Sequence, residues 1–194
     1  MDQKLEKQLQ FLTEADKMKS VYRQTLIMDG SRRENDAEHS WHLALMALTL
    51  SEYAASDKVD INRVIEMALL HDLVEVYAGD TFCYDAKGYL DKDERERLAA
   101  DKLFALLPKE QAAEFRGLWE EFDKMETPDS LYASAIDRFQ PFLCNSKTGG
   151  HTWVLHKIKA EQVYKRMEPV RTTIPALWSF IEDVIAEYKA KGVL

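Results

Sequence analysis

The chain has 194 residues, 46% of them hydrophobic and 31% charged, which excludes an intrinsically disordered polypeptide and allows one domain with its own core. A formal net charge of −8 excludes attraction to the polyanionic backbone of DNA or RNA as the basis of function, so no nucleic-acid polymer is expected as a partner. "MDQKLEKQLQ" holds no apolar signal core and no run approaches the roughly 18 apolar residues of a membrane span, so the expectation is a cytoplasmic protein with no membrane partner.

Only 7 glycines and 5 prolines punctuate the chain, and apolar residues recur every three or four positions, so an all-α fold is expected. A first amphipathic helix runs through Leu5, Leu9, Leu12 and Ala15. The loop "MDGSRREN" leads to a second, in which Asn35 and Glu38 have the spacing of a capping box and which continues through "HSWHLALMALTLSEYAA". A third helix is predicted from near Asp60 to Gly79, a residue suited to the position just past a helix end. After a loop with Asp80, Thr81 and Gly88, two charged helices cover about 92–107 and 109–125, Pro108 standing in the first turn of the second. Thr127 and Pro128 open the next helix, which Pro141 should bend shortly after Asp137. "SKTGGH" interrupts the chain before two closing helices, the last from about "TTIP" to Gly192. No repeat or linker divides the sequence, so residues 1–194 are expected to form one domain. Cys83 and Cys144 are too few for a zinc knuckle or a disulfide framework and read as reduced structural thiols.

The third helix carries an anomaly in "ALLHDLVEVYAGD". At about 100° per residue, Asn62, Arg63 and Glu66 fall on one side and Ile61, Val64, Ile65 and Ala68 on the other. His71, Asp72 and Glu75 then fall on the apolar side, while Leu70, Leu73, Val74 and Tyr77 take over the wet one. A lone histidine there reads as a hydrogen-bonded core residue, but three inward polar groups need compensation, and a divalent metal supplies it through imidazole and carboxylate ligands. His39 shares its stripe with Leu43, Met46 and Leu50 and is a further candidate, with His42 near it in phase. Asp137 falls with Ser130, Ala133 and Ser134, opposite Ala135, Phe139 and Phe142, a position equally suited to a solvated aspartate.

"ENDAEHSW", "ALLHDLVEVYAGD" and "AIDRF", in that order, resemble the HD-domain phosphohydrolases, and within them the branch of YfbR-like 5′-deoxynucleotidases. The resemblance covers about residues 12–165 and includes "KDERERLAADKLFALLP" and "LWEEFD". It implies a helical bundle around a buried site in which His39, His71, Asp72 and Asp137 hold one divalent ion (Mn²⁺, Co²⁺, Mg²⁺ or Zn²⁺). It also implies catalytic parts for Glu75 and Asp80, a phosphate contact from Arg23, a nucleotide as small-molecule substrate, and a homodimer. The chain departs from that pattern after the arginine, where Gln24, Thr25 and Leu26 replace an aromatic residue often found there.

Elementary chemistry agrees. Phosphomonoester hydrolysis needs an activated water, neutralised phosphoryl charge and help for the leaving oxygen. Glu75 is placed to orient or deprotonate the water, and Asp80 to bond the sugar or protonate the departing alkoxide. Arg23, or Arg32 and Arg33 in the loop before His39, offer the bidentate phosphate contact an acidic protein otherwise lacks, a solvated loop and a functional part being equal readings of the pair. Two-metal branches of the family need histidines between the doublet and the last aspartate, and here the next after His71 are His151 and His156. Guanosine tetraphosphate hydrolysis is the alternative reading, although those enzymes place an acid after the glutamate where this chain has Val76. A non-catalytic regulatory domain with a structural ion is the third, and Glu75 and Asp80, which ligation does not require, weigh against it.

Overall fold

A computed structural model describes residues 2–194. Ten helices and one two-stranded ribbon follow in order: α1 (Gln3–Ala15), β1 (Tyr22–Leu26), β2 (Arg33–Asn35), α2 (Asp36–Thr49), α3 (Ile61–Leu70), α4 (Glu75–Ala78), α5 (Lys92–Phe104), α6 (Lys109–Lys124), α7 (Pro128–Lys147), α8 (His151–Leu155), α9 (Ala160–Thr173) and α10 (Trp178–Ala190). The all-α expectation holds apart from the ribbon. Among the described residues no helix is long and apolar enough to cross a membrane.

α7 is the hub, packed against α2, α3, α6 and α9. It can be surrounded because Tyr132, Ala133, Ala135, Ile136, Phe139 and Phe142 are all buried, leaving little of its circumference for water. Tyr132 turns its hydroxyl to the Ala47 carbonyl of α2 at 3.1 Å, which satisfies the one polar atom of an otherwise apolar contact. Pro141 lies inside α7 and has no amide hydrogen for the Asp137 carbonyl one turn earlier.

Several boundaries differ from the sequence-based expectation. The capping box of Asn35 and Glu38 is present, but α2 stops at Thr49, and Ser51–Tyr53 form a separate 3₁₀ turn. Pro108 sits at the N-cap of α6 and not within its first turn. The segment after "SKTGGH" holds three helices, α8 to α10, where two were expected, and "TTIP" leads into a 3₁₀ turn over Pro175–Leu177 ahead of α10.

Two differences build the site. The stretch from 22 to 35 forms an antiparallel ribbon, Tyr22 opposite Asn35 and Leu26 opposite Arg33. Its turn is closed by Gly30 N–H to the Ile27 carbonyl at 2.8 Å and by Asp29 accepting from the Ser31 amide, with Gly30 at φ 74°, where a side chain would be strained. The predicted helix from 60 to 79 is broken: α3 ends at Leu70, and α4 begins at Glu75. Between them Leu73 N–H bonds Leu70 O, Glu75 N–H bonds Asp72 O and Val76 N–H bonds Leu73 O, each closing over three residues. Such a turn eclipses residues three apart, so Asp72 and Glu75 present their carboxylates to one side. Gly79 ends α4 at φ 77°, as its position suggested.

Candidate metal centre and pocket

His39 projects from the first turn of α2 and is fully buried. Its Nδ1 lies 3.0 Å from Gln140 Oε1 of α7. Gln140 is itself fully buried and donates its amide to Glu34 Oε1 at 2.6 Å and towards His42 Nδ1 at 3.2 Å, so its oxygen faces His39 and must accept. His39 therefore carries its hydrogen on Nδ1, which leaves the Nε2 lone pair turned the other way, towards Asp137 Oδ1 at 3.1 Å. His71, at the end of α3, repeats the device: its Nδ1 lies 2.9 Å from the Ala68 carbonyl, which can only accept. Two buried imidazoles with the outer nitrogen tied to an acceptor and the inner one free are arranged as metal ligands are.

The free nitrogens meet two carboxylates. His71 Nε2 is 3.1 Å from Asp72 Oδ2 and 3.8 Å from Asp137 Oδ1, and His39 Nε2 is 3.1 Å from Asp137 Oδ1 and 3.8 Å from Asp72 Oδ2. Ligand atoms about 2.1 Å from one ion and 90–130° apart are separated by roughly 3.0–3.8 Å, so the spacing of His39, His71 and Asp72, all within 4.8 Å of one another, suits a common centre, and Asp137 lies in that range of the two histidines. The fit has a second witness, because His71 Nε2 is buried and makes no hydrogen bond. Burial opposes ionisation of Asp72, but His71 and Arg23 beside it outweigh that and hold its carboxyl well below the usual range. Burial likewise opposes the Asp137 carboxylate, and its contacts with His39, His71 and Arg166 prevail in the same direction. Both acids are thus in the ionised form that metal ligation requires.

A second acidic set adjoins the first. Asp36, Glu75 and Asp80 bring carboxylate oxygens within 4.8 Å of one another, a spacing that could also hold a cation. Asp36 and Glu75 are buried, and Asp36 Oδ2 and Glu75 Oε2 have no hydrogen-bond partner. Burial and the neighbouring Asp72 push Asp36 up to about 7, and Glu75 is raised well above its ordinary value by burial and by Asp72 and Asp36. Asp80 is raised too, chiefly by burial. Arg23 spans the two sets, with Nη1 2.6 Å from Asp72 Oδ2 and 3.4 Å from Asp36 Oδ1. The ribbon positions it: the guanidinium reaches inward from β1, next to the N-terminus of α2.

These groups open onto a cavity of about 330 Å³, whose lining includes Arg23, His71, Asp72, Glu75, Asp80 and Asp137. Arg32 and Arg33 are not among its lining residues. Arg32 forks onto Glu38 at 2.6 and 2.8 Å on the surface, and Arg33 donates Nε to the Arg23 carbonyl at 2.6 Å. Sequence reasoning did not single out Asp36, Gln140, Arg138 or Arg166. For Asp36 the only signal was its place between Asn35 and the His39 face; Gln140 lies three residues after Asp137 and one turn away from it, on the side facing α2. Arg166 of α9 stands 3.4 Å from Asp137 Oδ2, a contact between residues 29 apart that no local pattern announces.

Comparison with known proteins places this geometry in context. A family model described as "HD domain" matches residues 15–178. The crystal structure of a predicted metal-dependent phosphohydrolase from Magnetospirillum magnetotacticum is similar to the whole chain, with a TM-score of 0.93, 46% identity, and 98% of this chain and 95% of that one covered. The human 5′-deoxynucleotidase HDDC2 is 27% identical over 136 residues, 70% of this chain but only 65% of the human protein's length. A 5′-deoxynucleotidase of Yersinia pestis is 27% identical over 161 residues, 78% of this chain and 81% of that protein.

Proposed function

This chain belongs to the HD-domain family, and from that premise we propose that it is a metal-dependent phosphohydrolase releasing phosphate from nucleoside 5′-monophosphates, deoxy forms favoured. The observation that carries the reading is the pair of inward Nε2 atoms of His39 and His71, set 3.1–3.8 Å from Asp72 and Asp137 oxygens at the cavity edge. In this reading His39, His71, Asp72 and Asp137 hold one divalent ion, which when bound supplies a Lewis acid for the phosphoryl oxygens and an acidified water.

The chain's own residues do the rest. Arg23, 2.6 Å from Asp72, is close enough to share its guanidinium with a phosphate bound beside that ligand, and a carboxylate-flanked arginine stays charged there. Glu75 takes the proton of the attacking water. Burial and the neighbouring Asp72 and Asp36 raise its proton affinity above that of an ordinary carboxylate, which makes it the stronger base. Asp36, buried beside Glu75, is the next station for that proton. Asp80, half-buried at the cavity wall, bonds the sugar or returns a proton to the leaving oxygen. In balance, a water oxygen forms the new P–O bond, the bond from phosphorus to the 5′ oxygen breaks, and that oxygen takes up one proton.

A phosphate-release screen over ribo- and deoxyribonucleoside 5′-monophosphates, with and without Mn²⁺ or Co²⁺, tests the reading. Metal-dependent release with deoxy forms ahead is expected; inert monophosphates beside turnover of guanosine tetraphosphate or a cyclic dinucleotide would overturn it.

A further inference from the structure

Groups of both charges line the cavity: Asp93, Glu96 and Asp123, with Lys92 paired to Glu96 at 2.7 Å, and, on the side shared with a neighbouring groove, Arg138 and Arg166 with Tyr84 and Tyr89. The arginine side opens into a groove of about 470 Å³ that the same four residues also border. Whatever part of a substrate extends beyond a phosphate held near Asp72 and Asp137 can continue along this side.

Arg138 is the unexplained group. It follows the ligand Asp137 directly in α7, yet its guanidinium donates only to Ser134 Oγ and Met125 Sδ, both neutral. The other two arginines of the cavity have acids, Arg23 with Asp72 and Arg166 with Asp137, whereas Arg138 forms no ion pair among the described residues. Withdrawing a guanidinium even partly from water without a counter-ion is costly. Tyr84 and Tyr89 are pushed upward by burial, so both phenols remain neutral donors beside it. Two guanidinia and two phenols bordering the same groove form a donor set for a phosphate.

We propose that Arg138, with Arg166, Tyr84 and Tyr89, is a second anion subsite, and that the preferred substrate is a phosphomonoester whose leaving group carries a second phosphate. The inference rests on the phosphohydrolase reading above and deepens it. Hydrolysis then breaks the ester bond of the phosphate at the metal ligands only, and the phosphate at Arg138 leaves intact on the alcohol product.

The test compares deoxyadenosine 3′,5′-bisphosphate with deoxyadenosine 5′-monophosphate. Binding is read by calorimetry with Mn²⁺ in the Glu75→Gln background, which slows turnover, and hydrolysis in the otherwise unaltered chain. Charge-assisted hydrogen bonds to the extra phosphate predict ~10- to 100-fold tighter binding and higher kcat/KM for the bisphosphate. Arg138→Gln should shrink that ratio to within about threefold, and Arg138→Lys, which keeps charge but loses the fork, should leave it in between. Because the readout is a ratio between two ligands, a general loss of folded protein does not imitate it. Equal binding of the two compounds by the parent protein, or an undiminished ratio in Arg138→Gln, overturns the subsite. Hydrolysis of both at equal efficiency removes the subsite and leaves the phosphohydrolase reading standing. A binding preference lost in Arg138→Gln, without hydrolysis of either compound, removes the reading and leaves the subsite.

Discussion

Replacing Gln140 by leucine is the most informative perturbation, because Gln140 touches no ligand position yet sets one. Its oxygen accepts from His39 Nδ1 at 3.0 Å and its amide donates to Glu34 Oε1 at 2.6 Å, in a site where His39 and Gln140 are fully buried and Glu34 is 3% exposed. Leucine fills much the same volume but strands two buried polar groups at about 1–3 kcal/mol each, so stability should fall by ~2–6 kcal/mol. Freed from its acceptor, the His39 ring can rotate or move its hydrogen to Nε2, where it blocks ligation. Loss of such an outer partner lowers metal affinity by about 10- to 100-fold. Chelator competition gives the affinity and urea unfolding of the metal-free protein gives the stability. Gln140→Glu separates the two effects: it keeps an acceptor for His39, so affinity should stay near the parent value, while its carboxylate facing Glu34 destabilises the fold. Parent-like metal affinity in Gln140→Leu would falsify the claim that this amide orients His39, and equal loss of affinity in both variants would mean the site merely tolerates no change at this position.

His71→Ala should purify with less than about a tenth of the parent's metal by elemental analysis, since three remaining ligands with an uncompensated acid pair form a poor site; equal occupancy removes His71 from the ligand set. Glu75→Gln should lower turnover by roughly 10²–10⁴-fold at unchanged metal content, and loss of the metal as well would move Glu75 among the ligands. Arg23→Ala should lower kcat/KM by ~10- to 100-fold, mainly through KM if the contact is already made in the ground state, and steady-state kinetics that show no change in either constant would exclude a phosphate contact. Stripping the ion should lower Tm by ~5–10 °C when free metal stood at about 100 times Kd, as scanning calorimetry with and without chelator would read, and an unshifted Tm argues against binding at this core position.

The helical class was legible in the sequence, because period-three-and-four apolar spacing survives any packing arrangement; His39, His71 and Asp72 stood out as candidates because polar residues on an apolar stripe are visible from phase, whereas Asp137, opposite its stripe, was singled out only by the family resemblance. The capping box at Asn35 and the stop at Gly79 were legible for the same local reason. The ribbon carrying Arg23 had a partial local signal that the helical reading passed over: Asp29 and Gly30 form a turn after a run with Val21, Tyr22, Thr25 and Ile27, while the second strand, Arg33–Asn35, has no β-branched or aromatic residue. The convergence of the four proposed ligands is a matter of tertiary packing. They lie on α2, the end of α3 and α7, and the break after Leu70, which turns Asp72 and Glu75 to one side, trades regular helix bonds for tighter ones between residues three apart. The same holds for Gln140 behind His39, Asp36 beside Glu75 and Arg166 against Asp137. Each is an ordinary polar residue by local pattern and acquires its part only because helices distant in sequence bury it beside a group that needs a partner.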